Sequence, residues 1–304
     1  MKVFFIGTNQ IHRLEKIMRN EIESYLESNE KNKVMKLIED IGNILKSEVV
    51  YGSFIGLFNK KNLIYLLLIK IFRKKVICHW IGTDVLIAMK KPRRTRFLQK
   101  FINLNLSGSL LLKQELESIG ILSIEEHIIL DDINYEIEKA PEKHRVLVYL
   151  PTNNIEFYGG KYIEKLAIDF SNIEFYIVAN ENEKRFKGYN NIMNFGKVSL
   201  EKMEEIYKSI SILIRLVEHD GLSLMLMEAL AKGKEVIYSY DFPYTYKSNN
   251  YDDLKQIFQK IIEVKPKLNE EGAKYIKENF SRKKYINNLK KYFKELIGEK
   301  YERN

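Results

Sequence analysis

The densest chemistry in this 304-residue chain lies between Ser209 and Tyr238, SISILIRLVEHDGLSLMLMEALAKGKEVIY. An apolar strand ends near Leu216 and runs into a polar loop, where Asp220 is placed to cap a helix over Leu222–Lys232. Gly221 lets a ligand approach the backbone closely. The amides of Gly221, Leu222 and Ser223 would then form a positive helix terminus suited to a diphosphate. Glu228 follows Asp220 by eight residues, about two turns along, in reach of a ribose diol. The plainer reading makes Asp220 an N-cap and Glu228 a surface partner of Lys232 at i,i+4. Arg215 closes the strand before the loop and faces the carboxyl edge, where parallel sheets bind ligands. His219 sits at the loop tip, either touching the same ligand or simply exposed.

The elements that must position these residues alternate. In the first half, Val3–Ile6, Val49–Tyr51, Val76–Trp80, Leu104–Ser107 and His127–Leu130 read as strands. Arg13–Glu27, Asn62–Arg73, Arg94–Phe101 and Leu110–Ile119 read as helices. A charged stretch with a proline, Glu136 to Arg145, reads as a linker, after which the alternation restarts. Strands are expected at Val146–Leu150, Glu174–Val178, Ile192–Phe195, Ile210–Leu216 and Glu235–Tyr238. Helices are expected at Lys161–Phe170, Leu200–Lys208, Leu222–Lys232 and Tyr251–Glu263, with Asn269–Asn279 and Arg282–Ile297 closing the chain. The fold class is therefore α/β, with two doubly wound, Rossmann-like domains facing a cleft. The expected division is 1–140, 141–280, and a final helix, 281–304, crossing back to the first domain.

Beyond its spacing, the Ser209–Tyr238 segment resembles the acidic-x7-Glu signature of family-4 retaining glycosyltransferases of GT-B fold. That family has Glu-Gly-Phe-Gly, then Leu-Glu-Ala-Met-Ala and Gly-x-Pro-Val-Ile. Here the chain reads Asp220-Gly221-Leu222-Ser223, Met227-Glu228-Ala229-Leu230-Ala231 and Gly233-Lys234-Glu235-Val236-Ile237. His79-Trp80-Ile81-Gly82-Thr83-Asp84 is similar to the family's His-Gly-Ser-Asp region. Phe195-Gly196-Lys197-Val198 is similar to its base-holding loop, and Phe280-Ser281 to its crossover.

The resemblance implies transfer of a sugar from a nucleoside-diphosphate donor, with retention and without a metal or other cofactor. No Asp-x-Asp at metal spacing occurs. It further implies that the amides of Gly221–Ser223 hold the diphosphate with Arg215 and Lys161, while Gly196 and Lys197 lie by the base. Glu228 would bind the ribose, Asp220 the transferred sugar, and His79 the sugar near its reacting carbon. Gly7, Thr8, Asn9 and Asp84 would line the acceptor side. The family's Gly-Arg…Lys pair is replaced here by Leu147–Asn154 and then Tyr158-Gly159-Gly160-Lys161. Lys161 and Arg215 are the substitute cations. A catalytically silent GT-B protein that binds nucleotide or glycan, or scaffolds a partner, is the alternative.

Composition bounds the rest. Forty-five per cent apolar residues, with 19 Tyr and 16 Phe, argue for packed cores and against disorder. One cysteine excludes a disulfide framework and a cysteine zinc cluster, and fits a cytoplasmic, reducing compartment. The most apolar run, Leu63 to Phe72, is about half a bilayer span. Between Lys60 and Lys100 stand twelve basic residues against the single acid Asp84, a local excess of eleven in a chain of net +9. This block, with Arg73, Lys74, Lys75, Arg93, Arg94 and Arg96, points to an anionic membrane face and a lipid-linked or glycan acceptor. Nucleic acid is disfavoured, because aromatics are not interleaved with the cations.

Overall fold

β-branched and aromatic runs build two parallel sheets, because a helix carries the chain back along the sheet between most successive strands, with loops doing so from Val178 to Ile192 and from Tyr238 to Tyr246. The computed structural model describes residues 1–59, 63–133, 135–137, 139–182 and 184–298. It divides into one unit of Met1–Asp132 with Phe280–Asn304, and a second of Ile133–Asn279. The seam thus follows Asp132, where the alternation placed it after residue 140.

The first unit runs β1 (Lys2–Ile6), α1 (Asn9–Met18), β2 (Glu23–Leu26), α2 (Lys33–Lys46), β3 (Val49–Ser53), α3 (Phe54–Leu57) and α4 (Leu63–Ile71). It continues through β4 (Lys75–Trp80), α5 (Thr83–Lys90), α6 (Pro92–Leu98), β5 (Leu104–Ser107), α7 (Leu110–Ser118) and β6 (Ile124–Glu125). The sheet order is β2-β1-β3-β4-β5-β6, all parallel. Period-2 alternation sends Phe4, Ile6, Val50, Val76, Cys78 and Trp80 into one core.

The second unit runs β7 (Arg145–Tyr149), α8 (Gly160–Asp169), β8 (Glu174–Val178), β9 (Ile192–Asn194), α9 (Leu200–Ser209) and β10 (Ile212–Arg215). Then come α10 (Leu224–Ala231), β11 (Glu235–Tyr238), β12 (Tyr246–Lys247), α11 (Tyr251–Ile262) and α12 (Glu270–Asn279). Its order, β12-β11-β10-β7-β8-β9, reverses between β7 and β10. That reversal is the topological switch point at which open α/β sheets take ligands.

The last helix, α13 (Arg282–Ile297), belongs to the first unit. Ser281 caps it by accepting from the Lys284 amide. The face of the first sheet opposite its large core carries Phe5, Tyr51 and His79, and α13 seals that face with Tyr285 and Phe293.

Three expected elements differ in the structure, and α2, α3, α5 and β12 were not expected at all. The helix expected over Arg13–Glu27 ends at Met18, and Glu23–Leu26 becomes edge strand β2. Pairing with β1 decides this, because β2 buries too little to show an apolar signal. The strand expected at His127–Leu130 forms instead at Ile124–Glu125, also an edge. The third is the donor-loop helix: α10 begins at Leu224 rather than Leu222. Asn62 of the expected Asn62–Arg73 helix lies outside the described residues.

Candidate functional site

In the second unit, register places three strand ends side by side. Arg215 pairs across from Tyr238, and Ile214 from Val148, which sets Arg215 beside Tyr149. Arg215 is therefore at the switch point, and it is 9% exposed. Burying a guanidinium costs several kcal/mol unless it is paired. Asp220 supplies the pair, accepting from Arg215 Nε at 2.8 Å. The same carboxylate oxygen accepts from the Tyr238 hydroxyl at 3.2 Å. The rings of Tyr158 and Tyr149 lie 5.6 and 5.8 Å from the guanidinium carbon, adding cation–π attraction. Burial and the neighbouring Asp220 carboxylate push the Tyr238 phenol well up, so it stays a donor.

This corrects the capping role expected of Asp220. Its side chain turns back to the strand end it has just left, and Ser223 occupies the N-cap position without a side-chain cap bond. The loop between them is strained at Leu222, whose φ of 74° is left-handed. A non-glycine residue there costs about 1–2 kcal/mol, a strain that clusters at ligand loops. Gly221 and Ser223 flank it, half-buried, as are His219 and Asp220. Lys232 pairs with Glu204 at 2.6 Å, and Glu228 is half-buried rather than on the surface. It accepts from the Tyr207 hydroxyl of α9 at 2.9 Å.

A cleft of about 290 Å³ opens at this carboxyl edge, lined by the turn after β7 and the loops after β10, β11 and β12. Phe157, Gly159 and Lys161 form one side, and Leu216–Glu218 with Ser239 and Tyr240 another. Gly159, at φ 73°, presses against β10: a Cβ there would meet Leu216 Cβ at 2.8 Å. The Glu218 amide donates to Phe157 O and the Val217 amide to Ser239 Oγ, clamping the loop that leaves β10. Lys161 is exposed at this lining, its ammonium 5.2 Å from the Tyr162 ring. Gly196, at φ 64°, follows β9, at the sheet edge away from β12, and its carbonyl accepts from Ala179 N. Lys197 beside it is exposed. Neither Gly196 nor Lys197 lines the cleft.

The first-unit candidates fare differently. His79 is fully buried. Its Nε2 donates to the Glu126 carbonyl at 2.9 Å, which fixes the tautomer, so Nδ1 accepts from the Tyr51 hydroxyl. Desolvation holds its pKa at about 3, keeping the ring neutral. Glu126 in turn accepts from Asn288 and Tyr292 of α13, at 3.0 and 2.9 Å. His79 thus anchors the closing helix, and the expected sugar contact is corrected: both ring nitrogens are consumed inside the core.

Asp84 is likewise sealed, at 3% exposed, accepting from the amides of Ile81, Gly82 and Val85. It shapes the turn after β4 and leaves no face for an acceptor. Gly7 follows β1 and lies against α3, where a Cβ on Gly56 would meet Gly7 Cα at 2.3 Å. The Gly7 amide and His12 Nε2 both donate to Glu27, which steadies the loop through Thr8 and Asn9. Asn9 is exposed, whereas Thr8 Oγ1 is buried.

Of the cations expected to face a membrane, Arg73, Arg93, Arg94 and Arg96 are exposed and Lys75 is half-buried. Lys74 is a correction. Its ammonium donates to the Leu45 and Ser47 carbonyls at 2.8 and 2.6 Å, capping the end of α2. No helix among the described residues is long and apolar enough to cross a membrane.

Tyr149, Tyr158, Tyr207 and Tyr238 escaped the sequence reading. Tyr149 and Tyr238 are each the last residue of their strand, a visible signal that gains meaning once register sets them beside Arg215.

No protein-family model matches the sequence, nor does any curated protein. Solved structures do match by shape. The chain superposes on the lipopolysaccharide outer core galactosyltransferase WaaB in its apo form with a TM-score of 0.65 and 13% identity, covering 96% of this chain and 99% of that one. Sucrose-phosphate synthase from Thermosynechococcus elongatus gives 0.67 at 9% identity, covering 98% of both. The pneumococcal O-GlcNAc transferase GtfA, solved with UDP and GlcNAc, gives 0.58 at 11%, covering 82% of this chain and 57% of that one. Two parallel six-stranded sheets in this arrangement, matched over nearly the whole length of solved glycosyltransferases, establish that the chain has the GT-B fold.

Proposed function

We propose that the protein is a glycosyltransferase, close in mechanism to the family-4 retaining enzymes, which takes a sugar from a nucleoside diphosphate and passes it to a lipid-linked or glycan acceptor. The observation that carries this reading is the cleft at the second unit's switch point, with Lys161 in its lining and Arg215 outside that lining, at the end of β10 next to the lining residue Leu216, while the strained Leu222 lies further along the same loop. GtfA, of the same fold, was solved with UDP, which supports a nucleotide-sugar donor here.

Each group has a task. Charge that develops on the leaving diphosphate needs fixed positive groups, and Arg215, Lys161 and the amides of Gly221–Ser223 supply them without requiring a metal. Arg215 reaches the diphosphate by sharing its guanidinium between Asp220 and the ligand, since Nε alone is bonded to Asp220. Glu228, oriented by Tyr207, accepts from the ribose diol. Asp220 and His219 contact the transferred sugar, and Gly196 and Lys197 lie by the base. With His79 sealed, no histidine of the first core takes part in the chemistry. Arg93, Arg94 and Arg96 hold the first unit at the cytoplasmic face of an anionic membrane.

Thermal-shift titration with UDP, GDP and their sugars tests the donor site. Stabilisation by a nucleoside diphosphate, lost in Glu228→Ala, is the expected result. A protein that no nucleotide stabilises would sink the reading. Co-sedimentation with anionic vesicles should weaken when Arg93, Arg94 and Arg96 become Ala, and equal binding to neutral vesicles contradicts the electrostatic part.

A further inference from the structure

An apolar slot of about 170 Å³ opens in the first unit between α3, α5 and α6, apart from every residue assigned above except Arg94. Phe54, Phe58 and Leu98 form its buried side, with Phe54 stacked on Trp80 at 4.3 Å. Ile55 and Ile87 also line it, yet they are 41% and 44% exposed. Two cations share this lining, Lys91 and Arg94. Both are exposed, and neither has an ion-pair partner among the described residues.

The surroundings repeat that pairing of apolar and cationic groups. Met89 and Phe97 are large apolar side chains left exposed nearby in sequence, while Lys90, Arg93, Arg96 and Lys100 add positive charge on the same two helices and the turn after them. The single acid of the segment, Asp84, is buried and spent on backbone amides. An apolar cavity open to solvent, with unneutralised cations in its lining, is complementary to a molecule that carries hydrocarbon and phosphate together. A free phosphate would leave the aromatic side unused, and a neutral lipid would leave the cations unpaired.

We propose that this slot binds an anionic lipid, its hydrocarbon chain against Phe54, Phe58, Ile87 and Leu98 and its phosphate on Lys91 and Arg94. In taking that lipid as the carrier of the acceptor, the inference rests on the sugar-transfer reading; the binding itself does not.

The full chain is titrated calorimetrically with dihexanoyl phosphatidic acid below its micellar concentration, beside dihexanoyl phosphatidylcholine and inorganic phosphate. Saturable binding of phosphatidic acid is expected, weakened about tenfold or more both by Ile87→Asp and by Lys91→Ala with Arg94→Ala. Equal binding of the neutral lipid, or of phosphate alone, overturns the proposal, as does binding that neither variant changes. UDP stabilisation is measured on the same samples, since the nucleotide site lies in the other unit. Lipid binding without any nucleotide response would retain this site and sink the sugar-transfer reading. Nucleotide response without lipid binding would do the reverse.

Discussion

Both units set an ionisable side chain at the carboxyl end of a central strand, and they solve its burial in opposite ways. His79, the penultimate residue of β4, is enclosed on all sides, kept neutral by desolvation, with both ring nitrogens hydrogen-bonded. Arg215, the last residue of β10, cannot be made neutral, so it carries a carboxylate and two aromatic faces with it and stays next to an open cleft. A buried imidazole can be a structural part because its proton can leave. A buried guanidinium brings a permanent charge, and at a switch point that charge is what an anionic ligand would use. The difference separates an anchor for α13 from a candidate binding group, although sequence pattern made both look alike.

The comparison breaks most visibly at the Arg215–Asp220 pair. Arg215→Met leaves Asp220 buried beside two phenols and should cost about 3–5 kcal/mol in urea denaturation. Arg215→Met combined with Asp220→Leu should recover most of that loss, while UDP stabilisation stays absent. If the double variant still binds UDP, Arg215 is only a structural cation.

A pH series sharpens the other half. His79 titrates near 3 when folded against 6.5 when unfolded, so the unfolded chain binds the extra proton between those values. Stability is therefore complete above pH 6.5 and falls as pH drops towards 3, by roughly 2 kcal/mol at pH 5. Burial raises the Glu126 carboxyl, which acts in the opposite sense, so the difference between the chain and His79→Gln isolates the histidine. His79→Gln should have the shallower slope from pH 7 to 5 and an unchanged response to UDP.

Two smaller effects follow at the second unit. Gly159→Ala forces a left-handed alanine against Leu216 and should cost about 1–3 kcal/mol in melting experiments. Tyr207→Phe removes one hydrogen bond to Glu228 and should weaken UDP binding by about 1 kcal/mol, some fivefold in Kd. Equal losses from Tyr207→Phe and Glu228→Ala would show that the glutamate acts only through its tyrosine partner.

The central strands were legible because they are buried on both faces, so β1, β3, β4, β7, β8, β10 and β11 read as short apolar runs. Edges were not. β2, β6 and β12 bury little and exist because a neighbour pairs with them, a relation that no local window contains. The candidate site divides in the same manner. Arg215, Asp220 and Glu228 stand out by type and spacing, whereas Tyr149, Tyr158, Tyr207 and Tyr238 look like ordinary aromatics among nineteen tyrosines. His79 and Asp84 carried a motif resemblance, and their burial then showed them to be structural.

By itself the sequence determined two α/β units, the strand–loop–helix at Arg215–Glu228, and a cationic block running from Lys60 to Lys100. Hydrophobic period and residue type are local quantities, and they suffice for that. Tertiary structure alone decided that Asp220 returns to Arg215 instead of capping a helix, that His79 is sealed beneath α13, and that Lys91 and Arg94 border an apolar slot. Those outcomes turn on which charges find partners as water is excluded, and partners distant in sequence are set by strand register and helix packing.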